Sequence, residues 1–75
     1  MGSELENRLI TDTIERFLWR QEKEKLDIFL LRYWYFESIQ SICRRTGYSQ
    51  SKVTSMLFSL RRRLRECLER EGIEL

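Results

Sequence analysis

An all-α fold of four helices is predicted by three features of the sequence. The chain has no proline and only three glycines, Gly2, Gly47 and Gly72, so helix breakers are scarce while the helix formers Leu, Arg and Glu abound. Apolar residues recur at helical spacing through most of its length. Its 75 residues make one small domain with a single core, and four helices are about the limit of that size.

From Leu5 to Arg20, the residues Ile10, Ile14, Phe17 and Leu18 fall at helical spacing with Glu and Arg between them, which predicts a first helix. Residues 1–13 are an N-terminal extension and the start of that helix, and Met1-Gly2-Ser3 has the composition of an expression scar. The domain proper is expected over 14–72. In the second segment, Glu22 to Tyr35, Leu26, Phe29, Leu30 and Tyr33 share one face while Ile28, Leu31 and Trp34 lie on the other. A helix apolar on both sides is expected in the middle of the fold. Trp19, Tyr33 and Trp34 are accordingly expected in the core or at an interface rather than stacked on bases. Trp19 to Lys23 contains neither Gly nor Pro, so a single fused helix stays open there.

Ser38 is placed to cap a short third helix, Ile39 to Thr46, that turns Ile42 and Cys43 inward. Gly47 ends it by taking the left-handed conformation, Tyr48 plugs the turn, and Ser49 caps the fourth helix. That helix, Gln50 to about Arg70, carries Val53, Met56, Leu57, Leu60, Leu64, Cys67 and Leu68 on one stripe, opposite Ser51, Thr54, Ser55, Phe58 and Arg62.

Two helices joined by three residues are the pattern of a helix-turn-helix, here over about 39–58. Counting Ile39 as the first position, small Cys43 falls fifth, where such helices cross closely, and Gly47 falls ninth. Apolar Ile42, Tyr48, Val53 and Met56 fall fourth, tenth, fifteenth and eighteenth. The eighth position departs: Thr46 stands where a bulky aliphatic is usual, at some expected loss of packing. The motif lies in the most basic part of the chain. Between Arg44 and Arg65 there is no acid, against Arg44, Arg45, Lys52, Arg61, Arg62, Arg63 and Arg65, whereas the whole chain carries only +2. Such a block calls for an anionic partner, and DNA phosphates fit it because neutralising them releases condensed counterions.

Other classes are disfavoured. No histidine is present, which removes the usual general base near neutral pH, and the acids are scattered over polar helix positions, so an enzyme is not expected. Cys43 and Cys67 lie far apart without histidine nearby, so no metal site or cofactor is expected and both should be reduced, small core residues. No apolar run approaches the roughly 20 residues of a membrane span, and no signal peptide opens the chain, which points to a cytoplasmic protein with no membrane partner.

The segment FLLRYWYFESIQSICRRTGYSQSKV followed by TSMLFSLRRRLRECLEREG resembles region 4, the C-terminal promoter-reading domain of bacterial RNA polymerase sigma factors of the sigma-70 family, especially the extracytoplasmic-function type. The likeness runs from about Ile14 to Gly72. It rests on Phe29 to Trp34, on Ser38 with Ile42 and Cys43, on the Gly47-Tyr48-Ser49 turn, on Lys52-Val53, and on the arginine-rich tail. The resemblance implies recognition of the minus-35 element in double-stranded promoter DNA, with the fourth helix in the major groove, and partnership with the RNA polymerase core through its β flap; an anti-sigma factor is a further partner. Carried onto this chain, Gln50, Ser51, Lys52, Thr54 and Ser55 would face base edges and nearby phosphates, with Arg62 further along that side. Arg32, Arg44, Arg45 and Arg61 would clamp the backbone. Thr54 and Ser59 stand where these domains frequently carry Lys or Arg, which should weaken DNA binding. Two other readings stay open. One is an output domain of LuxR-type response regulators, whose usual Thr-Val-Lys pattern Lys52-Val53-Thr54 lacks; the other is a helical protein-interaction module, adaptor or anti-sigma-like, using Phe36, Phe58 and the aromatic second helix.

Overall fold

The computed structural model describes residues 3–73, so Met1 and Gly2 lie outside the described residues. Four α-helices and no strand occupy the described chain: α1 Ser3–Trp19, α2 Lys23–Tyr33, α3 Ile39–Thr46 and α4 Gln50–Arg70. The all-α expectation is met, and the bounds of α3 and α4 are those read from the sequence. At 21 residues, α4 is about 32 Å long at 1.5 Å per residue and serves as the spine. Each of the other three helices packs on it, and α2 also packs on α3.

The core forms where α2, α3 and α4 meet. Ile28, Ile42, Val53 and Leu57 are buried together there, with Leu31, Ile39, Cys43, Tyr48 and Met56 packed around them. Among the described residues, the other buried apolar side chains are Phe17 of α1, Leu60 and Leu68 of α4, and Ile73 beyond its end. All seven residues assigned to the stripe of α4 are buried or half-buried, and its opposite side is exposed. On α1 a polar residue takes a core position: Thr13, only 1% exposed, donates its hydroxyl to the Leu9 carbonyl at 2.8 Å. That bond is why a buried hydroxyl costs little there.

α1 and α2 are separate helices, and side chains rather than Gly or Pro separate them. Gln21 Nε2 donates to the Phe17 carbonyl at 3.1 Å and Arg20 Nε to the Arg16 carbonyl at 3.2 Å. These bonds satisfy carbonyls that the last turn of a helix leaves open. Arg63 of α4 then donates Nη2 to Gln21 Oε1 at 2.9 Å, fixing the turn from 42 residues away.

The expectation that α2 lies in the middle of the fold is corrected. Only Ile28 of α2 is buried; Leu26, Phe29 and Leu30 are half-buried and Tyr33 is exposed. With so short a chain, α4 is the shared partner, and α2 is left with one covered side. The same correction removes Trp19, Tyr33 and Trp34 from the core, since all three are exposed.

Local chemistry sets the remaining helix ends. Ser38 Oγ accepts the Ser41 N–H and Ser49 Oγ accepts the Lys52 N–H, at 3.0 and 3.1 Å. Gly47, at φ 78°, donates its N–H back to the Cys43 carbonyl. Thr46 turns out to serve the turn: its hydroxyl donates to the Ile42 carbonyl and accepts the Tyr48 N–H, a use that an aliphatic residue could not supply. At the end of α4, Gly72 donates to the Glu69 carbonyl and Ile73 to the Leu68 carbonyl. With Gly72 left-handed at φ 77°, this is a Schellman ending that folds buried Ile73 back onto the helix.

Candidate nucleic-acid interface

The three-residue turn Gly47 to Ser49 sets the start of α4 beside α3 and leaves the outward face of α4 uncovered. Gln50, Ser51, Lys52, Thr54, Ser55, Phe58, Arg61 and Arg62 are all exposed. Thr54, Ser55, Phe58 and Arg61 line one shallow, open depression on it. The Thr54 hydroxyl donates to the Gln50 and Ser51 carbonyls at 2.9 and 3.1 Å, which commits its hydrogen to the helix and leaves its oxygen able only to accept. Lys52 has its ammonium 3.8 Å from the centre of the Tyr48 ring. This cation–π contact holds the charge at the first turn of α4.

The cations of the basic block are engaged unequally. Arg62 and Arg65 reach Glu66 and Glu69 one turn on, at 3.5 and 3.3 Å, in exposed pairs worth about 0.3–0.5 kcal/mol that give way easily to a phosphate. Arg44 and Arg61 form no ion pair or side-chain hydrogen bond among the described residues. Arg32 and Arg45, by contrast, are both bonded to Glu37. Arg45 grips the Glu37 carboxylate through two bonds, Nη2 to Oε1 at 2.7 Å and Nε to Oε2 at 2.9 Å, and Ser41 adds its hydroxyl. Together Arg45 and then Ser41 hold the Glu37 carboxyl below the usual glutamate range. Arg32 Nη1 donates to the Glu37 carbonyl at 3.0 Å, and the Glu37 N–H returns to the Leu31 carbonyl.

This anchoring of Glu37 fixes the loop from α2 to α3, which displays aromatic residues. Trp34, Tyr35 and Phe36 are 72%, 66% and 84% exposed, and Phe36 holds a left-handed φ of 57°. Sequence reasoning named Phe36 and Phe58 as a candidate protein-binding set but missed the clamp behind them. The hint available was a glutamate eight residues before Arg45, across a helix start.

Among the described residues no group of His, Cys, Asp or Glu could hold a metal ion, and both cysteines are free and half-buried. No helix is long and apolar enough to cross a membrane. No protein-family model matches the chain, and no curated protein or solved structure is significantly similar to it.

Proposed function

We propose that this chain is a helix-turn-helix promoter-recognition module of a sigma-like factor, working in the cytoplasm with the RNA polymerase core. In this reading α4 enters the major groove of the minus-35 element, Gln50, Ser51 and Ser55 address base edges, and Lys52 and Arg62 meet phosphates. Arg44 and Arg61 are the stronger backbone clamps, while Arg32 and Arg45 act mainly by shaping the loop between α2 and α3. The observation that carries the proposal is the outward face of α4. From Gln50 to Arg65 it is basic without an acid, its residues Gln50, Ser51, Lys52, Thr54, Ser55, Phe58, Arg61 and Arg62 are exposed, and it is presented by a capped three-residue turn.

The experiment is a comparison of two double variants, made with the chain joined to its sigma factor and core polymerase. Lys52→Ala with Arg62→Ala should weaken every DNA sequence alike and lower the magnitude of the log-affinity against log-salt slope by roughly two, at about 0.9 per phosphate. Gln50→Ala with Ser51→Ala should instead flatten the preference seen in a minus-35 selection, because a glutamine gripping adenine contributes about 1–3 kcal/mol of discrimination. Indifference of promoter choice to the first-turn pair and of the slope to the phosphate pair would remove α4 from the groove.

The exposed Trp34, Tyr35 and Phe36 support a second reading, a protein-interaction module. Its binding would survive high salt, whereas DNA binding would fall steeply.

A further inference from the structure

We propose that the cleft between the first turn of α2 and the flank of α4 seats one phosphate of the nucleic-acid backbone. The inference deepens the DNA-binding reading and rests on it. The cleft is about 240 Å³ and is lined by Lys25, Ser55, Met56, Ser59, Leu60 and Arg63. Clefts that take drug-sized ligands run about 300–1,000 Å³, so this one suits a smaller group. Its lining matches a phosphodiester: two cations, two hydroxyls, two apolar residues, Met56 and Leu60, and no acid.

Each cation is held in a way that leaves donors for a ligand. Arg63 commits one Nη to Gln21 Oε1, which orients the guanidinium and leaves its other N–H groups available. Lys25 pairs only with Glu22 among the described residues, at 3.5 Å, and the Glu22 side chain is 81% exposed, so a phosphate displaces it at small cost. The cleft also opens on the correct side. Ser55 lines both it and the depression with Thr54, Phe58 and Arg61, so a duplex whose groove receives α4 runs one strand past its mouth. Ser59 is one of the two small side chains in the lining, so a longer side chain there is expected to fill the cleft.

Two single variants of the chain, Lys25→Gln and Ser59→Leu, and their combination test the seat by binding to mixed-sequence duplex DNA across a salt series. Lys25→Gln, which leaves Arg63 at the phosphate, should lower the magnitude of the salt slope only in part, and Ser59→Leu, which bars the phosphate, should lower it by about 0.9, one phosphate's worth. The combination should lower it no further than Ser59→Leu alone, because both act on one phosphate. A combined loss equal to the sum of the two would assign the residues to separate phosphates and overturn the seat. Unchanged slopes for both single variants, with Lys52→Ala still lowering the slope, would also overturn it while leaving the DNA-binding reading intact. If Lys52→Ala is silent as well, that reading falls and the seat with it.

Discussion

Replacing Phe36 with glycine should make the protein more stable, although it deletes a large aromatic side chain. Phe36 lies in the loop two residues past Trp34, the C-cap of α2, and holds the left-handed conformation, at φ 57°, which glycine adopts without steric penalty. That conformation costs an L-residue about 1–2 kcal/mol. The side chain recovers little of it, because at 84% exposure it has almost no burial to lose. Glycine removes the strain but gives the unfolded chain more freedom, worth about 0.4–1 kcal/mol against folding. The difference is a gain of about 0.5–1 kcal/mol, which in a domain of this size raises the melting midpoint by several degrees, at about 4–8 °C per kcal/mol. Helical circular dichroism is the suitable probe, since Trp19 and Trp34 are already exposed and their fluorescence changes little on unfolding. Phe36→Ala is the control: it keeps the strain, loses the ring, and should leave the midpoint nearly unchanged. A lower midpoint for Phe36→Gly would refute the reasoning, because it would mean that the ring is packed or that the loop is not strained.

Leu57, 4% exposed at the meeting of three helices, should cost about 2–5 kcal/mol on change to alanine, much of the stability of a small domain; an unchanged thermal midpoint would show that the buried face of α4 is misassigned. Glu37 should make stability depend on pH in the acid range. Its folded pKa is lowered from 4.5 by Arg45 and Ser41, so its contribution is complete above that ordinary value and is lost as pH falls through the lowered one. Denaturant midpoints of wild type and Glu37→Gln should therefore differ at neutral pH and converge in strong acid, and a gap that persists there would locate the effect elsewhere.

The parts legible in the sequence are those decided within a few residues. Ser38, Gly47 and Ser49 punctuate α3 and α4 through bonds to neighbours three or four positions away, so the helix bounds could be read directly. The spacing of Val53, Met56, Leu57, Leu60, Leu64, Cys67 and Leu68 fixed the buried stripe, and with it the exposed face, because one face of a helix implies the other. Features that could not be read were decided by distant partners. The α1 to α2 break depends on Arg63, and the loop at Glu37 depends on Arg45 of the next helix. The fate of the aromatics on α2 was illegible for a related reason. Periodicity shows which residues share a side, but not whether a chain of this length has a helix left over to cover it, and α4 was already shared by three partners.

Arg44 and Arg45 show what this division means for the site. The two are adjacent, identical in type and both on the last turn of α3, so sequence assigns them one role. Geometry separates them. Arg45 is bound on two donors to a carboxylate whose side chain is only 17% exposed, so removing Arg45 strips a partner from that carboxylate and loosens the aromatic loop, whatever it does to DNA. Arg44 has no such bond among the described residues and adds only the smallest of the charge effects on Glu37, so in the DNA-binding reading its loss should register mainly in binding. Arg61 shares that property, and Lys52 and Arg62 are tied only by weak contacts, to the Tyr48 ring at 3.8 Å and to exposed Glu66 at 3.5 Å. A loss of DNA affinity at these four positions without a change in melting would therefore report on the interface, whereas the same loss at Arg45 or Arg32 would report first on the loop.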